Sequence, residues 1–548
     1  LRIWELFQSK WKSLHPMFAM EDVRSFIPLE ARKFTTLDNA WKRIMSDLRR
    51  ETSLSNMMSY ADLRVQMSRG VDTMEEIFSI KRIYLNTKRA QCPRLYLLDD
   101  ISMLSLMSSD NHLPFMKAIM RRIFPGVTSF DTIEKELIKT YEDGESESSE
   151  DDWLPEDGWK HSTIEIHTLH GHHGETLRLM NDVVCDVQTF PTWTNCLEKE
   201  MKKSVAAQLV DLESSIENRA KAKSVQVNVV QDKILWTNLT HDHVLNGTLN
   251  MIVRYINDDI RCLVQLLRSN VAHNVQYNIH ALLEWKLHSR DTTQYLIDSN
   301  VTSESDYSWQ TLQRYHLWGG MEDDDAGKEV EKDDSSNAPQ KDAVQIHWMN
   351  RTISYENEYI GDWSHVVIHP LNDRCHQNLM SIFHSIKDPA FMWGESCAEK
   401  ESTLSSLASC FGIPTVVIPS STRTPLQTFV DKLKGISSSG FWGVFQSCEQ
   451  ILPEIVSVLV SYVETITTAK KALGGTYILD GVVPLPLNRR SWFCFTSEAR
   501  PFSGKKLSDA IAVHYRTLII TVPNWEMVLH TLLATYDFYD NNLLPDQI

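Results

Sequence analysis

Six short apolar runs follow one another between residues 365 and 523: HVVIHP, AFMWG, PTVVIPS, FWGVFQS, SWFCFTS and TLIITVP. Stretches with helical periodicity separate them. Such alternation is the signature of a βα fold built on a mainly parallel sheet. The preceding residues carry a different pattern, dominated by helical spacing. The expected fold class is therefore a mainly α N-terminal region, residues 1–340, followed by an α/β domain over residues 341–548 with a mostly parallel sheet.

The N-terminal region opens with helical sequence. MEDVRSFIPLEARKFTTLDNAWKRIMSDLRRE (20–51) spaces its apolar residues at three and four, with Thr36 and Asp38 as expected caps. CPRLYLLDDISMLSLMSSD (92–110) places a short β-like run before another helical start. Residues 142–157 carry nine carboxylates, a run that repels itself and reads as a solvated acidic loop. STIEIHTLHGHHGETLRLMND alternates as a hairpin does, with its turn at Gly171–Gly174. Helices return from 193 to 318. One of them puts Ile252, Ile256, Ile260, Leu263 and Leu267 on a single face. A second acidic stretch, MEDDDAGKEVEKDDSSNAPQKD (321–342), forms the connector at which the domain boundary is placed.

Bulk properties narrow the function classes. The 548 residues carry a formal net charge of −17, which argues against nucleic acid as a partner. No apolar run reaches the roughly 18–20 residues of a membrane span, so no membrane partner is expected. Nine cysteines without a CxxC pair read as reduced thiols of a cytoplasmic protein. The N-x-S/T triplets at Asn238, Asn246, Asn300 and Asn350 lack a secretory signal and read as chance. The first residue is Leu, consistent with a segment of a longer chain.

The second apolar run leads into the stretch that carries chemistry. After Ala390–Trp393 comes Gly394, and six residues later Lys400 heads a helical pattern. In a phosphate-binding loop, glycines let backbone N–H groups curl round phosphate, a Lys reaches the β/γ-phosphates, and the next Ser/Thr holds Mg²⁺. Gly394 and Lys400 keep the outer spacing of such a loop. Between and after them stand Glu395, Glu399 and Glu401, so three carboxylates oppose one ammonium where an anion must dock. At about 4–5 Å each such contact opposes binding by roughly 1 kcal/mol in water. The third strand would carry Asp-Glu for metal and water in an ATPase. Here it ends Phe445-Gln446-Ser447, and a polar sensor on the next strand is replaced by Glu498 or Ala499. No catalytic residue is expected.

Other constellations are weaker. His167, His170, His172 and His173 with Glu175 all come from one turn, so they read as a solvated tip and no metal site is expected. The acidic runs lack the EF-hand spacing and its central Gly. HSRD (288–291) reads as capping and salt-bridge residues on a helix.

Longer motifs resemble a known family. SYENEYIGDWSHVVIHPLNDRCHQNL (354–379) is similar to the start of the first AAA+ module of dynein heavy chains, YxYEYLGxxxxLVITPLTDRCYxTL. LHSRDTTQYLIDSNVTSESDYSWQTLQRYHLW (287–318) resembles the end of the dynein linker. CPRLYLLDDISMLSLM resembles the linker's FPRFYFLSNDELLEIL, and WTNCLEKEM and ILWTN have linker counterparts. The resemblance runs in order along essentially the whole chain.

It implies a helical linker over residues 1–340 and the large αβ part of an AAA+ module over 341–548, ending before the small subdomain. Carried over by position, Gly394 and Lys400 are P-loop remnants. Asp373 and Arg374 lie in the loop on the adenine side. Arg516 stands near the family's LFRP arginine. The family's GPAGTGKT becomes GESCAEKE here, and its DE-ending strand becomes FQS. These departures fit a divergent heavy-chain-like branch, associated with sperm flagella and axoneme assembly. The expected function is a component of axonemal, ciliary or flagellar motility machinery, located on the cytoskeleton, with a degenerate first ATP site. No cofactor is expected to be held firmly, and ATP or ADP is at most a weak or structural ligand. Implied partners are dynein intermediate and light-intermediate chains and axonemal proteins, with microtubules met only through parts absent here. The alternative is an active motor ATPase with hydrolysis in modules outside this chain.

Overall fold

A computed structural model describes residues 2–19, 24, 27–50, 63–108, 112–137, 161–185, 190–212, 215–269, 271–318, 343–361, 363, 367–385, 389–479, 484–498 and 515–535. The acidic loop 142–157, the connector 321–342 and Ala499 lie outside the described residues. The chain forms two compact units, residues 1–123 with 187–192, and residues 124–186 with 193–548. No helix among the described residues is long and apolar enough to cross a membrane.

The first unit holds helices α1 (Arg2–Ala19), α2 (Pro28–Arg50), α3 (Leu63–Gln91), α4 (Asp100–Ser108) and α5 (His112–Ile123). Phe7 and Trp41 pack at 4.8 Å between ring centroids. Gly70 of α3 lies under the Phe7 ring, where a Cβ would collide. Thr36 and Asp38 are not caps. The helix already begins at Pro28, a residue suited to the first turn because its missing N–H is one the helix leaves unpaired. Thr36 Oγ1 instead donates to the Arg32 carbonyl at 3.0 Å, and Asp38 accepts from Trp11 Nε1 at 3.0 Å. CPRLYLL is a 3₁₀ turn, Pro93–Leu97, rather than a strand. Proline fixes φ at its start, and Arg89 Nη2 holds the Leu98 carbonyl at 2.9 Å beyond its end.

The second unit begins with strands β1 (Ser129–Leu137), β2 (His161–His170) and β3 (Thr176–Cys185), an antiparallel sheet in that order. The turn between β2 and β3 falls at residues 171–174, as the alternation predicts. Helices α6 (Phe190–Val210), α7 (Ile216–Ala222), α8 (Val225–Asn246), α9 (Leu249–Arg268), α10 (His273–Asp298) and α11 (Tyr307–Gln310) follow. On α9, Ile252, Ile256, Ile260 and Leu263 are buried as expected, with Leu267 packed partly against the same core. HSRD lies within α10, where Arg290 and Asp291 pair at 2.8 Å.

Helix α8 is unusual in burying polar residues. Its N-cap Ser224 accepts from Val227 N–H at 3.4 Å, and Gly247 at φ 66° ends it. Arg219 of α7 and Lys286 of α10 both reach the buried Asp232 at 3.0 Å, and Lys286 also meets Asp259 of α9 at 2.6 Å. Burial pulls the Lys286 amine down, but the Asp232 and Asp259 carboxylates outweigh it and leave the ammonium above its ordinary value. Gln226 Nε2 donates to the Tyr355 hydroxyl at 2.8 Å and to the Glu358 carbonyl at 2.7 Å, while its Oε1 accepts from Ile360 N–H at 2.9 Å.

Strands β4 (Arg314–Trp318), β5 (Ala343–Trp348) and β6 (Arg351–Ser354) form an antiparallel sheet, β4 and β5 pairing across the connector. The remaining elements, in chain order, are α12 (Pro370–Ser385), β7 (Ala390–Trp393), α13 (Lys400–Cys410), β8 (Thr415–Pro419), α14 (Leu426–Ser439), β9 (Trp442–Gln446), α15 (Pro453–Lys471), β10 (Thr476–Ile478), β11 (Pro484–Pro486), β12 (Trp492–Ser497), β13 (Arg516–Ile519) and α16 (Trp525–Thr535). Five strands make one parallel sheet in the order β13-β7-β12-β9-β8. Five of the six apolar runs supply these strands. The described part of HVVIHP is not a strand but leads into α12, where His369 Nδ1 accepts from Asn372 N–H at 3.4 Å and Pro370 takes the first helical position. Trp442 and Trp492 meet at 5.0 Å, and Phe445 stacks on Phe495 at 4.7 Å in the sheet core.

Replacing Asp232 by Ala strands the buried Arg219 guanidinium and leaves Lys286 with Asp259 as its one remaining carboxylate. It should destabilise the second unit by about 3–5 kcal/mol in chemical denaturation. Removing the exposed partner in the Arg261–Asp258 pair (R261A) should cost no more than about 1 kcal/mol. Equal effects would show that the Asp232 network does not hold these helices.

Candidate functional site

Strand β7 ends at Trp393, the loop 394–399 follows, and α13 starts at Lys400. The strand–loop–helix turn expected around GESCAEKE is therefore present, and β7 lies between β12 and β13 in the sheet. Gly394 sits in close contact with the end of β13. A Cβ there would run into the Ile520 carbonyl oxygen and approach Ala398 Cβ to 3.1 Å. The glycine is thus demanded by packing alone, whether or not a ligand is bound.

Lys400 is 2% exposed. Its Nζ donates to the Glu395 carbonyl at 2.7 Å and to the Gly394 carbonyl at 3.2 Å, so the amine is folded back on its own loop. Glu399, just before it, takes the left-handed conformation at φ 51°, ψ 35°. For a residue with a side chain that conformation costs roughly 1–2 kcal/mol. The turn is one that suits glycine, and a glutamate occupies it. Glu401 turns toward the sheet, and its Oε1 accepts from the Thr496 hydroxyl of β12 at 2.8 Å. Glu395, Ser396 and Cys397 form the exposed crest of the loop.

At the end of β9, Gln446 and Ser447 are half-buried, and Ser447 adopts φ 53°. The next residue, Cys448, reaches the Thr496 carbonyl at 3.1 Å. Glu498 is exposed beyond the end of β12. The structure thus gathers Lys400, Glu401, Thr496, Gln446 and Ser447 at the C-terminal ends of β7, β9 and β12. Ligands of parallel α/β sheets bind at that edge.

Asp373 and Arg374 stand in the first turns of α12, Asp373 half-buried and Arg374 exposed. Burial holds the His369 imidazole below its ordinary value, with the Glu399 and Asp373 carboxylates opposing the shift. Thr403 Oγ1 donates to Asn372 Oδ1 at 3.4 Å, which sets this turn beside α13. Arg516 is exposed at the start of β13, opposite Ala390 in register and away from the loop crest. The histidine cluster is dispersed. Glu175 accepts from Val225 N–H at 2.7 Å, His173 stacks on Tyr277 at 4.1 Å, and His170 pairs with Asp131 at 2.8 Å. No group of side chains able to hold a metal is found among the described residues.

His376, which sequence reasoning missed, ties α12 to α13. Its Nε2 lies 3.1 Å from the Thr403 carbonyl, and Thr403 Oγ1 returns to the Glu399 carbonyl at 2.8 Å. Burial pushes the imidazole down to about 4, against the Asp373 charge and the Thr403 bond, which favour protonation. Nothing in the spacing of CHQNL marks this ring as buried; its partner lies 27 residues away.

A parallel sheet with a lysine-headed loop and helix at its ligand edge defines a P-loop-type α/β module. Two family models match the chain: "Dynein heavy chain, N-terminal region 2" over residues 1–212, and "Hydrolytic ATP binding site of dynein motor region" over residues 355–548. The chain belongs to the dynein heavy chain family. It is similar over its whole length to Dynein axonemal heavy chain 12 of Rattus norvegicus (22% identity) and Homo sapiens (24%), covering 16% of each. Dynein axonemal heavy chain 1 of Mus musculus is 23% identical, again along the whole chain and over 12% of that protein. The chain thus spans less than a fifth of the curated relatives it matches.

The His376 imidazole gives a pH prediction. Below pH 6.5 the unfolded chain takes up a proton that the folded ring refuses until about pH 4. Stability therefore falls as pH drops through that window, by about 1.4 kcal/mol per unit for this group. H376Q should make the loss between pH 7 and pH 5, followed by thermal melting, shallower by about one proton. An unchanged slope would mean that the ring is not held neutral.

Proposed function

We propose that this chain is the linker and first AAA+ module of a dynein-type heavy chain serving axonemal, ciliary or flagellar movement, and that its first ATP site does not turn over nucleotide. In this reading residues 1–340 are the linker and residues 341–548 the large αβ part of the module. The observation that carries it is the lysine-headed loop. Lys400 is satisfied by the Gly394 and Glu395 carbonyls, and Glu399 and Glu401 occupy the places of the loop's last glycine and its metal-binding hydroxyl. Gln446 and Ser447 replace the two carboxylates that would hold metal and orient water. Removing metal, water and phosphate contacts together leaves a fold that positions elements but supplies no transition-state stabilisation.

The relatives' names support the axonemal setting. Partners of this reading are dynein intermediate and light-intermediate chains and other axonemal proteins, with microtubules engaged through other parts of the heavy chain. ATP or ADP, if held, plays a structural part. The second reading, an active motor, places hydrolysis in modules outside these residues and shares the same linker.

The test is phosphate release from Mg·ATP by the purified 548-residue chain. No release above buffer is expected. Turnover near 1 per second or faster, in the ordinary range of enzymes, would overturn the inactive-site reading.

A further inference from the structure

The C-terminal end of α13 meets α8 at a junction that the nucleotide reading does not use. Lys233 Nζ lies 3.4 Å from Cys410 Sγ and 3.4 Å from the Tyr315 hydroxyl. Lys233 is 3% exposed and Cys410 6%. The amine stands 5.0 Å from the ring centroids of Trp285 and Tyr315 and 5.9 Å from that of Trp363. Tyr315 also donates to the Cys410 carbonyl at 3.0 Å, which fixes the thiol's backbone against the amine. Cys410 ends α13, so the ammonium occupies the negative end of that helix, where a cation is favoured. Among the described residues no ion pair joins Lys233 to a carboxylate.

A cavity of about 60 Å³ adjoins the pair, lined by Lys233, Cys410, Ser409, Ser406 and Trp285 among others. One water requires roughly 10–15 Å³ by the same measure, so a molecule the size of hydrogen peroxide has room beside the thiol. Cys410 carries no disulfide. An oxidised sulfur here therefore meets the lysine amine as the nucleophile already in contact. Burial, with the neighbouring Cys410 adding to it, pushes the Tyr315 hydroxyl well above its ordinary value, so the phenol stays neutral and does not compete.

We propose that Lys233 and Cys410 form a reversible covalent Nζ–Sγ link, a sulfenamide, when hydrogen peroxide oxidises the thiol. In the first step the peroxide O–O bond breaks, an S–O bond forms, and the thiol proton leaves with the departing oxygen as water. Sulfur is oxidised by two electrons and peroxide is reduced by two. In the second step the ammonium gives a proton to water, the neutral Nζ then attacks Sγ, and the S–O bond breaks, the hydroxyl leaving as water with a second proton from the amine. The ammonium and the sulfenic acid give a neutral N–S link plus a hydronium ion. Sulfenic acids condense with nitrogen in this way. The product staples α8 to the helix that begins at Lys400, and it removes a buried positive charge. The link is independent of whether the loop binds nucleotide.

The test is mass spectrometry of the 548-residue chain after hydrogen peroxide treatment and trypsin digestion without reductant. The expected product joins the peptides carrying Lys233 and Cys410 and is about 2 Da lighter than their sum. It is cleaved by dithiothreitol and absent from K233R and C410S. Dimedone, which traps sulfenic acids, decides the matter in the unaltered chain if either variant fails to fold. A dimedone adduct on Cys410 in peroxide-treated chain that forms no linked peptide overturns the proposal. So does conversion of Cys410 to sulfinic acid with cleavage after Lys233 unimpaired, or an unmodified Cys410 while the exposed Cys397 is oxidised.

Discussion

Helix α8 buries amides and charges along with its apolar residues, and the attachment of the helical region to the sheet domain depends on that. Buried polar groups cost several kcal/mol unless each finds a partner. Gln226 finds its partners on residues 355–360, Asp232 on α7 and α10, and Lys233 at the end of α13. A shift of the helix by one turn would leave all three unmatched. Apolar packing such as that of Ile252 and Ile256 on α9 tolerates sliding far better. The segment gripped by Gln226 is itself closely packed, since Gly361 lies against Gly126 and Gly171 with no room for a Cβ.

That rigid attachment carries into the loop at Lys400. The helix held by Lys233 at its C-terminal end is the one whose first residue closes the loop. His376 and Thr403 hold its first turns against α12. The loop is therefore braced by the elements around it, and the carboxylates Glu395, Glu399 and Glu401 stand in it or beside it. Glu401 accepts a hydrogen bond from the Thr496 hydroxyl, and the Lys400 amine donates to two carbonyls of its own loop. Each of these bonds satisfies a buried or half-buried polar group locally, and the proposed inactive-site reading rests on that.

Much of this was legible in the residue order. Short continuous apolar runs bounded by turns mark strands buried on both faces, and five of the six predicted here are strands of one sheet. The spacing from Gly394 to Lys400 marked the turn correctly. The amphipathic stripe on α9 appeared as written. What escaped was set by distant partners or by chain direction. Thr36 and Asp38 have the chemistry of caps, but Pro28 had already started the helix. CPRLYLL and HVVIHP have the composition of strands, yet Pro93 starts a 3₁₀ turn in the first, and the described part of the second is irregular and leads into the helix that Pro370 begins. Glu401 and Thr496 are 95 residues apart, and Lys233 and Cys410 are 177 apart. No local pattern reports a contact of that kind.

The central claim is that the Lys400 loop keeps the shape of a nucleotide site without its affinity. Equilibrium titration of the 548-residue chain with a fluorescent ATP analogue and Mg²⁺ addresses it most directly. Three opposing carboxylates and a lysine already engaged predict no saturable binding below about 1 mM, a free energy weaker than about −4 kcal/mol. Saturable binding near 1 μM, about −8 kcal/mol, that is lost in K400A would contradict it.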